Sequence, residues 1–218
     1  MLWRSWVGRL VKLTDSALTR VLKVLPGNHH GIDRRVIKVL IRELRSRYPG
    51  KSRSWIKRSL RRFLNNDVRA LGSNAWVVRG EPSMGDKLPQ YIVRLINGKY
   101  TCDCQASPWG GSRGLCTHIG AVIASQIYEE LMRTVYAAVI SVRCVDTELI
   151  IPGEGASVER VVNGEETTYI IRTDGEKTLR ALLACNDEIK ELTISTVPMK
   201  NWEIKETIQE VDKTTKEG

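Results

Sequence analysis

Apolar positions recur at helical spacing in the first third of the chain and give way to alternation after residue 72. Trp3, Trp6, Val7, Leu10 and Val11, then Leu18, Val21, Leu22 and Leu25, predict one or two amphipathic helices over residues 2–25. The breaker "PGNHHG" ends them; His29 and His30 within it read as exposed loop histidines. Asp33 is a candidate N-cap for a helix with the stripe Val36, Ile37, Leu40 and Leu44, stopped by "YPG". A further helix starting near Ser52 or Ser54 buries Ile56, Leu60 and Phe63. "NAWVVRG" and "PQYIVRLINGKYTC" then alternate, predicting two or three strands with a hairpin at "NGK". From Cys116 a helix follows, with Ile119, Val122, Ile123 and Ile127 in register.

Past residue 135, "YAAVISVRCVD" and "ELIIPG" predict strands and Asn163-Gly164 a hairpin. "DGEKTLRALLA" predicts a helix and "IKELTISTV" a last strand, so this part reads as a βαβ-type module. The fold class is α+β. It divides into a basic helical region at 1–72, a finger at 73–134, a C-terminal α+β module at 135–205 and a tail at 206–218 expected to fray for want of apolar residues. No internal repeat and no run of 18 apolar residues is present, so no membrane partner is expected.

Charge sharpens the picture of the first region. The net charge of +9 conceals 18 Lys and Arg against 4 Asp and Glu in residues 1–72, and 16 against 21 in the rest. Opposite the apolar stripes lie Arg34, Lys38, Arg42 and Arg45 on one helix, and Lys57, Arg58, Arg61 and Arg62 on the next. Two short helices joined by a turn resemble a helix-turn-helix. So many like charges repel unless anions are near, so these eight residues are expected to contact phosphates. A merely solvated basic face is the plainer alternative.

Four metal-capable side chains fall within "YTCDCQASPWGGSRGLCTHIGAVIAS": Cys102, Cys104, Cys116 and His118. A Cys-x-Cys pair at a strand end and a Cys-x-His pair entering a helix can each grip one metal, and the Gly-rich stretch between them lets the chain double back. Three thiolates and an imidazole suit one zinc and fill a tetrahedral sphere, which makes the zinc structural. Cys144 and Cys185 are expected to be small buried apolar side chains, in keeping with a reducing compartment. With no signal-peptide pattern at the start, the expected location is the cytoplasm, at a nucleoid or within a nucleus.

Trp76 on a preceding strand, Tyr100 ahead of the first pair and "HIGAVI" after the second complete a pattern that resembles the SWIM zinc finger over about residues 74–126. That resemblance implies a unit that binds DNA or a protein such as a recombinase partner. The loop "QASPWGGSRG" departs from the family's usual apolar segment. Trp109 and Arg113 on it are candidates to stack on bases or meet phosphates, and packing of Trp109 on its own finger is the alternative.

No phosphate-binding G-x-x-x-x-G-K-[ST] loop, nucleophile elbow or acidic triad framework occurs, and a closed metal sphere offers no site for a reactive water. The chain is therefore expected to bind rather than catalyse. The expected function is nucleic-acid binding, with DNA as the first target. A protein-interaction adaptor and an RNA- or ribosome-associated protein are the alternatives.

Overall fold

The structure, a computed structural model, describes residues 31–105, 114–144, 146–153, 155–186 and 188–214. The expected helices of residues 2–25, His29, His30, Trp109 and Arg113 lie outside the described residues. In chain order the elements are α1 (Arg34–Arg47), α2 (Arg53–Leu64), β1 (Val68–Gly72), β2 (Ala75–Arg79), β3 (Gln90–Ile96), β4 (Lys99–Cys102) and α3 (Thr117–Met132). There follow β5 (Thr134–Arg143), β6 (Thr147–Ile150), β7 (Ala156–Asn163), β8 (Glu166–Thr173), β9 (Thr178–Cys185), β10 (Glu188–Ser195), β11 (Val197–Lys200) and α4 (Asn201–Thr214). Every strand pairing among them is antiparallel, and the fold is α+β as expected. Among the described residues no helix is long and apolar enough to cross a membrane.

The described chain forms two compact units, Gly50–Ala121 in one and Ile32–Pro49 with Val122 onward in the other. The two basic helices, read from sequence as one pair, therefore belong to different units.

In the first unit, Ser52 caps α2 by accepting a hydrogen bond from Trp55 N at 3.2 Å. The helix buries Trp55, Ile56, Ser59, Leu60, Arg62 and Leu64. Phe63, expected inside, is only half-buried. Strands β1 to β4 make a sheet in sequence order, and β1 is a strand the sequence reading did not anticipate. Its alternation is weak because four of its five residues are exposed on an edge. Asn97 and Gly98 turn β3 into β4 with φ of 50° and 74°, the left-handed backbone that a tight hairpin needs and that Asn-Gly tolerates.

The second unit is built around β8, which lies between β5 and β7. Tyr169 and Ile171 on one of its faces pack with Leu149, Ala181, Leu183 and Ile194 from the three-stranded sheet β10-β9-β6. Ile170 on the other face packs with Ala137 and with Ile204 of α4. A strand buried on both faces carries apolar residues at successive positions, as Tyr169, Ile170 and Ile171 do, with Thr167 and Thr168 buried ahead of them.

Three expectations fail here. "DGEKTLRALLA" is not a helix: Thr178–Cys185 is the central strand β9, paired on one side with β10 and on the other with β6. Leu and Ala favour helix in isolation, but Leu179, Ala181 and Leu183 face the core at a spacing of two, and two flanking strands decide the outcome. The tail does not fray from 206, since α4 runs to Thr214. Its few apolar residues are well placed, with Ile204 fully buried and Ile208 one turn on against the same cluster. Glu203 accepts from Lys200 N at 2.7 Å, closing the first turn as a capping box does. Finally, Cys144 and Cys185 are joined in a disulfide. Strand β6 starts just after Cys144 and pairs Thr147 with Cys185, which brings the two together.

Candidate metal centre

The hairpin β3–β4 delivers the first two cysteines. Val93 pairs with Cys102 at the end of β4, and a 3-10 turn over Asp103–Gln105 brings Cys104 back beside it. Two side chains hold this turn. Asp103 accepts from Ile92 N at 3.2 Å and from Arg94 Nη1 at 2.9 Å. Gln105 accepts from Cys102 N at 3.1 Å and donates to Gly114 O, tying the hairpin to the chain that enters α3.

Cys116 stands just ahead of α3 and His118 in its first turn. The amide of Ile119 points at Cys116 Sγ from 3.5 Å, so the open end of the helix faces the sulfur. The donor atoms of Cys102, Cys104, Cys116 and His118 all lie within 4.8 Å of one another. His118 Nδ1 is 3.8 Å from Cys102 Sγ and 3.9 Å from Cys116 Sγ. Around a tetrahedral zinc with bonds of about 2.3 Å to sulfur and about 2.0 Å to nitrogen, neighbouring donors stand roughly 3.5–3.8 Å apart. The cluster therefore has the size of a metal-ligand set, and these four residues can hold a metal ion.

The three thiols act on one another's acidities. Hydrogen bonding to Cys104 and Cys116, then burial, pushes the Cys102 thiol far up. Hydrogen bonds from Cys102 and Cys104 pull Cys116 far down, aided by His118 and the Ile119 amide. Cys104 is drawn down by Cys102 but driven up by Cys116 and burial, to about 11. Three sulfurs this close cannot all carry negative charge without a cation among them, and a thiolate-seeking divalent metal could supply it.

Behind the ligands is a buried polar chain that the sequence reading did not find. With Nδ1 toward the thiols, His118 turns Nε2 to Asp86 Oδ1 at 3.1 Å, and its ring stacks on Tyr91 with centroids 4.0 Å apart. The other carboxylate oxygen, Asp86 Oδ2, meets Arg62 Nη1 at 2.6 Å and accepts from Glu81 N at 2.6 Å. Burial pushes the Asp86 carboxyl up, but Arg62 and the Glu81 amide outweigh it and hold the group below the usual carboxylate range. A carboxylate behind a metal-binding imidazole fixes its tautomer and its orientation. Asp86 lies in turn material 32 positions before His118, where no spacing rule would flag it.

Arg62 is thus a correction. Expected as an outward phosphate contact, its side chain is 1% exposed and pairs with Asp86 behind the candidate ligands, also reaching Thr117 Oγ1 and Arg79 O. The other cations of α2 do face water: Arg58 is exposed, and Lys57 and Arg61 partly so. On α1, Arg34 is exposed while Lys38, Arg42 and Arg45 are half-buried.

The inner face of α2 is fastened to the same centre. Trp55 Nε1 donates to Leu115 O at 2.8 Å, and Lys51 Nζ to the same carbonyl at 3.3 Å. Leu115 immediately precedes the ligand Cys116. Gly120, one turn into α3, lies so near α2 that a Cβ there would overlap Ser59 Oγ and Trp55 Cζ2. Comparison with family models, with curated proteins and with solved structures finds no match.

Proposed function

We propose that the chain is a nucleic-acid-binding protein, with DNA as its first target, in which one structural zinc on Cys102, Cys104, Cys116 and His118 keeps the basic face of α2 in shape. The observation that carries this reading is the fastening of α2 to the ligand cluster. Trp55, Gly120 and Arg62 tie its inner face to Leu115, α3 and Asp86, while Lys57, Arg58 and Arg61 are turned outward. A metal that orders the cluster orders that charged face with it. The placement of a Cys-x-Cys hairpin and a Cys-x-His helix start supports reading the centre as a SWIM-type finger. Four protein ligands leave no open coordination position, which favours binding over catalysis. Arg34, Lys38, Arg42 and Arg45 remain secondary candidates in the other unit.

The test is metal content by elemental analysis, with duplex DNA titrated at two salt concentrations. One zinc per chain and an affinity that falls by about 0.9 log units per log unit of salt for each phosphate met support the reading. One zinc with no affinity for DNA or RNA overturns it and leaves the adaptor. One observation favours that second reading. Ile150, Leu182 and Ile189 are 48%, 40% and 71% exposed on one face of the β10-β9-β6 sheet, an apolar surface of the sort that protein partners cover.

A further inference from the structure

On the outer side of α2, Ser54, Lys57, Arg58 and Arg61 line a hollow of about 280 Å³, which Ser83 and Met84 of the 3-10 turn Pro82–Met84 close. Ser54 lies three and four positions before Lys57 and Arg58, and Arg61 four and three after them, so the four lie along one side of the helix. Lys57 and Arg58 have no acidic partner among the described residues. Arg61 is turned toward the hollow by the turn itself: its Nη2 donates to Ser83 Oγ at 3.3 Å, while Glu81 is 3.8 Å away. Ser83 Oγ in turn donates to Glu81 at 2.7 Å. Three cations therefore meet one carboxylate around a small space flanked by two hydroxyls and the Met84 side chain.

We propose that this hollow is a binding site for a single phosphate group, resting on the nucleic-acid reading for its source. Like charges this close on a helix oppose one another, and an anion between them turns that repulsion into attraction. The chemistry fits phosphate in particular. Guanidinium groups match its oxygens in paired hydrogen bonds, lysine adds a point charge, and the Ser54 hydroxyl can donate to a remaining lone pair. The site also extends beyond the helix. Ser83 stands three residues before Asp86, so one turn carries both a wall of the hollow and the carboxylate behind His118.

The phosphate comes either from the diester backbone of a nucleic acid or from a terminal or free monoester. The zinc-loaded protein is titrated with inorganic phosphate, following backbone amide and arginine Nε–H signals by NMR. Saturable shifts confined to Ser54, Lys57, Arg58, Arg61 and Ser83, weakened about tenfold in Lys57→Gln/Arg58→Gln, support the site. Non-saturable shifts spread over all basic residues overturn it. One oligonucleotide is then added with and without a 5′-phosphate. Equal displacement by both assigns the site to backbone diesters, and displacement by the phosphorylated form alone assigns it to monoesters. Saturation by phosphate with displacement by neither keeps the site and overturns the nucleic-acid reading. Oligonucleotide binding that leaves these signals unmoved overturns the site and keeps that reading.

Discussion

Arg62 Nη1 stands 2.6 Å from Asp86 Oδ2, with both side chains out of water. Its sequence neighbour Arg61 is 42% exposed and lines the basic hollow. Consecutive residues on a helix point about 100° apart, so adjacent arginines can serve opposite ends of one design. The inner one holds the carboxylate that faces His118 Nε2, and the outer one offers charge to solvent.

Asp86→Asn should uncouple these roles. It keeps the volume but removes the charge that faces Arg62, and its single acceptor oxygen cannot serve both Arg62 with Glu81 N on one side and His118 on the other. Metal affinity should fall about 10–100-fold, as read by competition with a chelating dye. Stability should fall by about 3–5 kcal/mol, because a buried guanidinium loses its counter-ion. Unchanged metal affinity would reduce Asp86 to a structural partner of Arg62.

Cys102→Ser/Cys104→Ser should abolish metal binding. The wild-type chain treated with a strong chelator should show the same loss of protection in hydrogen exchange across residues 50–105 and 114–121. Structural zinc contributes on the order of 10 kcal/mol to the folding of small fingers. If protection survives chelation, the hairpin and α2 hold without the metal.

The approach of α3 to α2 allows a steric test. Gly120→Ala places a methyl group into Ser59 and Trp55, and overpacking of this kind costs about 1–3 kcal/mol. Gly50→Ala, with nothing within 4 Å, should be close to neutral. Adding Ser59→Gly to Gly120→Ala should recover part of the loss in a denaturant titration.

Asp33 gives a pH-dependent test in the other unit. It caps α1 by accepting from Arg35 N at 2.8 Å, and its hydrogen bonds with the Arg35 side chain hold its carboxyl below the usual value. A lowered carboxylate stabilises the fold above the unfolded-state value of about 3.9 and stops doing so as pH falls through its own folded-state value. Asp33→Ala should therefore cost about 1 kcal/mol at neutral pH. The gap between variant and wild type should close in acid, below about pH 4. A gap independent of pH would mean that the carboxylate charge plays no part.

Cys144→Ser/Cys185→Ser should loosen the second unit. Closing a loop across a sequence separation of 41 limits the unfolded chain by about 4 kcal/mol on the entropy estimate. The loss should be matched by wild type treated with reductant, read as the melting temperature under each condition.

What could be read from sequence follows from the range of the signal. The four ligands stand out because short spacings and unusual side chains carry the information. α1, α2 and the Asn163-Gly164 hairpin are legible for the same local reason. β9 is not, because its Leu and Ala residues favour helix and only the pairing with β6 and β10 overrules them. Arg62 is hidden in plain view among 12 basic residues between 34 and 62. Its burial depends on Asp86, and no pattern within α2 announces a partner in a distant turn.

The disulfide has a consequence for how the chain is assembled. Sulfurs of Cys102, Cys104 and Cys116 lie close enough to cross-link with one another under the same oxidising conditions that join Cys144 to Cys185. A thiolate bound to metal is shielded from that reaction. With a metal held at these residues before oxidation, only Cys144 and Cys185 would be left to pair, whereas oxidation first would let five cysteines compete for partners.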